Sequence, residues 1–293
     1  MKTMKIYQSG TLALLVISIA FSGCSAKKEV WGSLKKGMNM NYTVQPDREL
    51  SYTTNFEFEQ QLTVMNQEFT VTGKSMQVFE MKPLAGKSND LDYLVTLADM
   101  NFEMETPRGK LTPELEEVIG KSFNLTLTSL GEELEYAGAE ELIYDMGSGE
   151  KKSISSDIQA FFPNLPGYPV KVGDSWESID KVTEKTGSGE MVIVFNNINT
   201  FEGLEQYGGF DCMKINVVST AVLSGEGEQD GYELITEGEI SGTSTWYYAY
   251  KEGTYVGNVS EGSGKTETEV LGTPEEMVIP AKRTFKMTTM INP

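Results

Sequence analysis

The sequence contains no histidine and only two cysteines among its 293 residues. Without an imidazole it cannot form a Ser-His-Asp or Cys-His catalytic arrangement or a histidine-ligated metal site. Basic residues are also scarce, since 24 Lys and Arg stand against 43 Asp and Glu, which gives a net charge of −19. Nucleic-acid affinity comes mostly from cations that neutralise phosphates, so we expect no nucleic-acid partner. Hydrophobic residues at 39% are sufficient for a folded core.

The first residues have the organisation of a bacterial export signal that ends at a cysteine. Lys2 and Lys5 precede an apolar run over 11–21, which is shorter than the about 20 residues of a membrane-spanning helix. The run ends in the letters FSGC, of which the last is Cys24. This order resembles the lipobox of bacterial lipoproteins, with phenylalanine where leucine is usual. The resemblance implies that 1–23 is a signal peptide and that Cys24 is acylated, for example with palmitate. The alternative is an ordinary secretory signal with a chance cysteine.

Acylation of Cys24 would have consequences for location and for the other cysteine. Several acyl chains give a stable membrane anchor, so we expect a cell-envelope protein on the outer-membrane, periplasmic or surface face. Cleavage before Cys24 would leave 270 residues and change the net charge from −19 to −21, because two lysines and no acid are lost. Cys212 would then be the remaining thiol, so that no intramolecular disulfide could form. Its strand-like surroundings favour a buried, inert side chain.

Alternation of apolar and polar residues dominates the mature chain and predicts a mainly β fold. The strands predicted before the middle of the chain are 38–44, 51–64, 69–81, 91–104 and 123–129, followed by a hairpin turn at 131. Those predicted after it begin at Trp176 and include 191–196, 211–223, 231–240, 244–250, 254–260, 265–271 and 282–291. We expect the part from 231 to 271 to be an antiparallel meander, with a short hairpin loop at Lys251-Glu252-Gly253.

Short helices are predicted at three places. Thr112 and Pro113 have the character of an N-cap and a first helical residue, and Gly120 of a stop. A second helix is expected over 139–146. A third is expected to begin at the capping-box pattern that starts with Ser156.

Prolines divide the chain near its middle. Pro163, Pro166 and Pro169 recur at every third residue, which suits an extended crossover. We therefore expect a lipid-anchored tether over 24–36, a first β-rich half with short helices over 37–169 and a second β-rich half over 170–293. A lysine and glycine pattern before each set of strands leaves open that the halves are similar.

Two segments resemble uncharacterised bacterial lipoproteins. One combines FFPNLP at 161–166 with PVKVGDSW at 169–176, and the other is the hairpin that begins with GKSF at 120–123. The likeness covers about 110–260 and is to relatives of the LolA/LolB/LppX-like lipoprotein fold group. It implies a strongly curved antiparallel sheet or half-open β-barrel with two or three short helices. It also implies an apolar hollow that carries acyl chains or other lipids, with no catalytic residue and no cofactor.

Methionine and aromatic residues on the predicted strands are the candidate ligand-binding residues. Methionine is flexible and polarizable, which suits a surface that accepts varied apolar shapes. The candidates are Met38, Met40, Phe56, Phe58, Met76, Met100, Met104 and Trp176. The alternative interpretation is that these residues fill an irregular core.

Acidic clusters raise the alternatives of a metal site and a hydrolase. The clusters are Glu114, Glu116 and Glu117 on a predicted helix and Glu132, Glu133 and Glu135 on a predicted hairpin. No calcium-loop pattern is present, so we expect no metal ligand. Glycoside hydrolysis needs only two carboxylates about 5–10 Å apart, and among 43 acids some pair meets that distance by chance.

The sequence therefore predicts a lipid-anchored envelope protein that is not an enzyme and that holds a hydrophobic or lipid ligand in a curved sheet. Its partners would be the membrane, through Cys24, and that ligand. One alternative is a scaffold that binds another envelope protein. A second is a carboxylate-based hydrolase, which requires two facing acids with a raised pKa in a cleft.

Overall fold

The computed structural model describes residues 31–85, 90–273 and 277–292. Regular structure in these residues is almost entirely β-strand, with one 3₁₀ turn over Ala139–Glu141 and one helical turn, α1, over Ser155–Ile158. The strands are β1 (Gly32–Ser33), β2 (Gly37–Met38), β3 (Leu50–Val64), β4 (Gln67–Pro83), β5 (Leu91–Thr106), β6 (Gly109–Leu111), β7 (Ser122–Leu127), β8 (Glu133–Glu135), β9 (Ile143–Asp145), β10 (Lys151–Ser153), β11 (Ser175–Thr186), β12 (Gly189–Tyr207), β13 (Phe210–Gln229), β14 (Tyr232–Ala249), β15 (Thr254–Leu271) and β16 (Met277–Asn292).

Apart from the β1–β2 hairpin, these strands form one antiparallel sheet. Its order is β8-β7-β5-β4-β3-β16-β15-β14-β13-β12-β11-β10-β9, and β6 pairs with β5. From β11 to β16 each strand pairs with the next one in the chain, and β16 returns to pair with β3. The predicted meander and the loop before β15 are confirmed, with Gly253 at a φ of +65°. The predicted mainly β, strongly curved antiparallel architecture is also confirmed.

The sheet curls around the segment that precedes β11. We call residues 151–170, which contain β10, α1 and the proline crossover, the inner segment. Gln77 of β4 donates a hydrogen bond of 2.6 Å to Asp157, and Asp157 lies 3.3 Å from Lys152. Lys152 in turn lies 3.3 Å from Glu184 of β11. Seven strand spacings separate β4 from β11, about 34 Å in a flat sheet, so the sheet must wrap around the inner segment.

Aromatic rings fix the inner segment against the sheet. Phe161 lies 5.3 Å from the Tyr52 ring and 6.1 Å from the Phe79 ring, in edge-to-face contacts. Phe162 lies 6.2 Å from the Tyr255 ring. The Tyr52 hydroxyl donates a hydrogen bond of 2.8 Å to the Tyr255 carbonyl, so this buried polar group is satisfied. Edge-on ring pairs add about 0.5–1.5 kcal/mol each beyond the area they bury.

A backbone bridge links the two ends of the sheet. β6 is paired with β5 near one end of the strand order. The chain that follows β6 brings Glu114 beside Asp145 of β9 at the other end, where the Glu114 N–H donates to the Asp145 carbonyl at 3.0 Å. The curl is therefore closed along this path.

The same bridge overturns the helix predicted over 112–120. Glu114 is held in a strand-like pair, and the residues after it form only a turn, in which the Ile119 N–H donates to the Leu115 carbonyl at 3.1 Å. A helix of this length depends on tertiary packing for its stability. Here the Glu114 N–H donates its hydrogen bond to β9 and does not take part in a helix.

The other two predicted helices are shorter than expected. Over 139–146 the helical part is only Ala139–Glu141, because the chain then pairs as β9 with β10. The predicted capping box is wrong, since α1 begins at Ser155 and has no side-chain cap at its start. Asp157, in the first turn of α1, is bound by Gln77 and Lys152, so tertiary contacts fix the position of this turn.

The start of the chain is only partly described. The predicted signal peptide, 1–23, and the predicted lipid site, Cys24, lie outside the described residues. Within the predicted tether, Trp31 packs against Tyr250 with 6.0 Å between ring centroids. Along the described chain, no helix has both the length and the apolar character needed to cross a membrane. The division into halves at 169 and 170 stays a prediction.

Candidate ligand-binding hollow

Burial along the strands divides the core face of the sheet into a closed zone and an open zone. In β3, Leu50 and Tyr52 are buried against the inner segment, whereas Phe56 and Phe58 further along are half-buried. In β15 the first four residues are buried, and the rest alternate between half-buried and exposed. We call the open zone of the core face, beyond the inner segment, the hollow.

Apolar side chains line the hollow. Residues that pair in register share a face of the sheet, because side chains alternate along each strand. The half-buried apolar residues of this face include Phe56, Phe58, Phe102, Met104, Ile193, Phe195, Ile240, Phe285 and Met287, and polar residues such as Gln60 and Ser75 share the face. On the opposite face, residues such as Glu57 and Glu59 are exposed. A curled apolar wall that still reaches solvent is suited to an apolar ligand.

Two rings of the wall lie flat over glycines of neighbouring strands. Phe58 pairs in register with Gly73, and Phe285 pairs with Gly262. A Cβ on Gly73 would lie 2.2 Å from the Phe58 ring, and a Cβ on Gly262 would lie 2.5 Å from the Phe285 ring. A side chain at either glycine would therefore displace the ring. This arrangement holds both rings against the sheet.

A charged cluster forms the floor of the hollow, where the inner segment meets β11. Lys152, Asp157 and Glu184 have side chains that are 19%, 16% and 26% exposed. Burial alone would lower the pKa of Lys152, but the two carboxylates outweigh it and raise that pKa above its ordinary value. The cluster therefore keeps Lys152 charged and ties the inner segment to the sheet.

Arg283 of β16 brings a further positive charge into the hollow. It pairs in register with Gln60 and therefore shares the face of Phe58. Its guanidinium carbon is 4.8 Å from the Phe58 ring centroid, and its Nε donates to Gln60 Oε1 at 2.9 Å. The side chain is exposed to solvent. The surrounding protein lowers its pKa by desolvation, and Glu184 acts in the opposite direction.

The predicted ligand-binding residues fall into three groups. Met38, Met40, Met100 and Trp176 are 6% exposed or less and belong to the packed core, where the inner segment and its neighbours cover them. The wall of the hollow contains Phe56, Phe58 and Met104. Met76 pairs in register with Asn55 and lies on the opposite face. Only the second group has side chains that face the hollow and are not covered by the packed core.

The polar residues of the hollow were missed by the sequence analysis. Arg283, Phe285 and Met287 are two residues apart along β16 and therefore share a face, so the alternation in the sequence could have placed Arg283 in the hollow. Lys152 had no such signal, because its position depends on how the inner segment folds back into the sheet.

Of the acids considered for hydrolysis, Glu133 has a raised pKa. Burial raises the pKa of Glu133 to about 7, although three backbone N–H groups of the inner segment act against it. The Ala160 N–H donates to its carboxylate at 2.7 Å and the Phe161 N–H at 3.0 Å. Burial also raises the pKa of nearby Asp180, whose oxygens accept hydrogen bonds from the amides of Asn164 and Asn197. These acids anchor the inner segment.

The thiol of Cys212 is buried in β13. Burial raises its pKa to about 12, so it is protonated at neutral pH. Across the described ranges no three acidic or cysteine side chains converge as metal ligands do.

A second concavity is lined mainly by residues of the opposite face of the sheet, and its lining also includes Phe58, Gly73, Gly262 and Phe285. It has a volume of about 810 Å³ and crosses β4, β3, β16, β15, β14 and β13. Its lining includes Glu57, Lys74, Glu261 and Lys286 beside Val218. Lys74 and Glu57 form a salt bridge of 3.1 Å there. This groove is open and of mixed charge.

Comparisons with known proteins identify no family for this chain. No protein-family model matches it, and no similar sequence is found among curated proteins. Among solved structures, OccK2 (OpdF) of Pseudomonas aeruginosa has 6% identity and a TM-score of 0.21, over 84% of this chain and 99% of that one. OmpF of Salmonella typhi, in complex with daunomycin, has 6% identity and a TM-score of 0.24, over 85% and 100%. Similarity at this level establishes neither fold nor function.

Proposed function

We propose that this chain is a lipid-anchored protein of the bacterial cell envelope that binds a hydrophobic ligand, such as a lipid acyl chain, in the hollow, and that it is not an enzyme. The observation that carries the proposal is the row of half-buried apolar side chains beyond the inner segment. Each methylene that a ligand buries against such a wall contributes about 0.8 kcal/mol. The resemblance to the LolA/LolB/LppX-like group is part of this proposal, and no cofactor is required.

Ligand binding is tested with a neutral fluorescent probe, N-phenyl-1-naphthylamine, whose emission rises in apolar surroundings. The protein is the full chain with Cys24→Ser, which removes the acylation site. We expect saturable binding to this chain. Ile240→Glu, which places a charge on the wall, should weaken binding about tenfold or more because a carboxylate cannot be buried there cheaply.

Ser241→Glu is the matched control. Ser241 is the exposed neighbour of Ile240 and lies on the opposite face, so the same charge is added outside the hollow. Binding should be unchanged in this variant. Equal weakening by Ile240→Glu and Ser241→Glu, or a complete absence of saturable binding, contradicts the proposal.

The lipid anchor is tested by intact-mass analysis of the protein extracted from membranes. Removal of residues 1–23 and addition of acyl chains at Cys24 are expected in the unaltered chain and in a Cys212→Ser variant. The buried thiol of Cys212 makes that variant the control. An unmodified Cys24 in the membrane-extracted protein argues against the anchor and leaves the ligand test unaffected.

The groove on the opposite face favours a second candidate function, a scaffold that binds an envelope protein. Its charged side chains, among them Lys74 and Glu261, are of the kind found at the polar rim of protein interfaces, and Val218 lies beside them. In this case crosslinking in whole cells should capture a partner through groove residues, and the hollow variant Ile240→Glu should leave that partner bound.

A further inference from the structure

Arg283 is an unusual residue for a wall that serves only apolar contact. Its side chain is exposed to solvent, so the cation remains hydrated when no ligand is bound. Its neighbours along the same face of β16 are Ala281 and Phe285, and its partner on β15 is Gly264. The guanidinium therefore points to a ligand with a polar end.

Hydrogen bonding leaves part of the guanidinium available. Its Nε and Nη2 both donate to Oε1 of Gln60. A guanidinium has five N–H donors. In the part of the chain that the structure describes, no other acceptor is bonded to Arg283. Three donors, including both of Nη1, therefore face the hollow and its solvent.

Charge pairing also leaves Arg283 available. It forms no salt bridge within 4.0 Å with an acid in the described ranges. Glu184 is the acid whose field reaches Arg283, but it lies 3.3 Å from Lys152 and is bound to the floor of the hollow. The positive charge of Arg283 is not used to hold the fold together.

The side chain is held in one orientation. Its guanidinium lies 4.8 Å above the Phe58 ring, and the ring itself is held over Gly73. Gln60 fixes the edge that carries Nε. The guanidinium is fixed by the Phe58 ring on one face and by Gln60 on one edge. Its other edge, which carries Nη1 and Nη2, is free to act as a bidentate hydrogen-bond donor to a carboxylate or phosphate.

We propose that Arg283 binds the oxyanion head of an amphiphilic ligand, a carboxylate or phosphate, whose single hydrocarbon chain lies along the apolar wall of the hollow. This inference rests on the proposed ligand-binding function. Phe58 and Phe285 adjoin the guanidinium on the same face and would contact the first methylenes of the chain. The head group would displace the water that otherwise solvates the three free donors.

The test compares three ligands that share one twelve-carbon chain: dodecanoate, dodecyl phosphate and dodecanol. Each displaces the neutral probe from the full Cys24→Ser chain at pH 8, where both acids are ionised. The chain that retains Arg283 should bind the two anions more tightly than the alcohol. Arg283→Gln should weaken the anions about tenfold or more and change dodecanol less than twofold. The anion that loses more affinity in Arg283→Gln, dodecanoate or dodecyl phosphate, carries the preferred head group.

Lys282→Gln is the matched control. Lys282 is exposed and adjacent to Arg283 in β16, but it lies on the opposite face. The variant therefore removes one positive charge next to position 283 and outside the hollow. It should leave all three affinities unchanged. Arg283→Lys keeps the positive charge but cannot form a bidentate hydrogen bond, so it should lose part of the anion affinity.

Three results overturn the inference. The first is equal binding of dodecanol and the anions by the unaltered wall, and the second is equal weakening by Arg283→Gln and Lys282→Gln. The third is a loss of dodecanol affinity in Arg283→Gln as large as the loss for the anions, which indicates a structural role. In each case probe and alcohol binding still support the hollow. If neither the probe nor any ligand binds, the proposed function itself fails.

Discussion

The charged cluster at the floor of the hollow provides the sharpest test of how the sheet is held in its curl. Lys152 lies 3.3 Å from both Asp157 and Glu184, and Gln77 reaches Asp157 from the other side. Lys152→Met keeps most of the side-chain stem but removes the charge. Two carboxylates are then left facing each other without a cation.

The expected loss follows from burial. Breaking a fully buried ion pair by removing one partner destabilises a protein by 3–5 kcal/mol, and the carboxylates here retain 16% and 26% exposure, so we expect about 3 kcal/mol. The loss should depend on pH. Without Lys152, two ionised carboxylates repel each other with no cation between them, and protonation of a carboxylate relieves this repulsion. The deficit should be largest at pH 7 and shrink towards pH 4.

The assay is urea unfolding followed by tryptophan fluorescence at pH 7 and pH 4. Lys151→Met is the control, because Lys151 is the exposed neighbour in β10 and should change the free energy of unfolding by less than about 0.5 kcal/mol. Equal stability of Lys152→Met and Lys151→Met at pH 7 would show that the charged cluster does not stabilise the fold. A deficit of Lys152→Met that does not change with pH would likewise contradict the role of the two carboxylates.

Two further predictions concern the acid that anchors the inner segment and the glycine beneath a wall ring. Because burial raises the pKa of Glu133 to about 7, its contribution favours the folded state fully below pH 4.5 and is lost as the pH rises to 7. The stability of the unaltered chain relative to Glu133→Gln should therefore fall by about 3 kcal/mol over this range in urea titrations, and a constant difference would contradict it. Gly262→Ala should displace the Phe285 ring and cost about 1–3 kcal/mol in thermal unfolding. The exposed Ser263→Ala is its control, and equal effects would contradict the prediction.

Much of the sheet was predictable from period-two alternation. Phe56 and Phe58 of β3 alternate with Asn55, Glu57 and Glu59, and the structure places these sets on opposite faces. The same alternation continues through β15, where half-buried small residues such as Gly262 alternate with exposed residues such as Glu261. Such patterns identify strands and faces because they depend only on residues close in sequence.

The remaining features depend on contacts between distant parts of the chain. The closed zone covers Met38 and Met100 because the inner segment folds back against the sheet, so residues of equal hydrophobicity differ in burial from Met104. The helix predicted over 112–120 is absent because Glu114 pairs with Asp145 of β9. The pairing of β16 with β3 likewise joins residues more than 200 positions apart. Local propensity contains no information on these long-range pairs.

The central claim, that an apolar ligand occupies the hollow, is tested most directly by photocrosslinking. A fatty acid with a diazirine on the methylenes next to its carboxylate is bound to the full Cys24→Ser chain and irradiated, and the adducts are mapped to residues by mass spectrometry. We expect adducts at alternate strand positions of the wall, among them Phe56, Phe58 and Phe285, and we expect dodecanoate to compete them away. Adducts at Glu57 or Lys286 of the opposite face, or adducts that dodecanoate does not reduce, would contradict it.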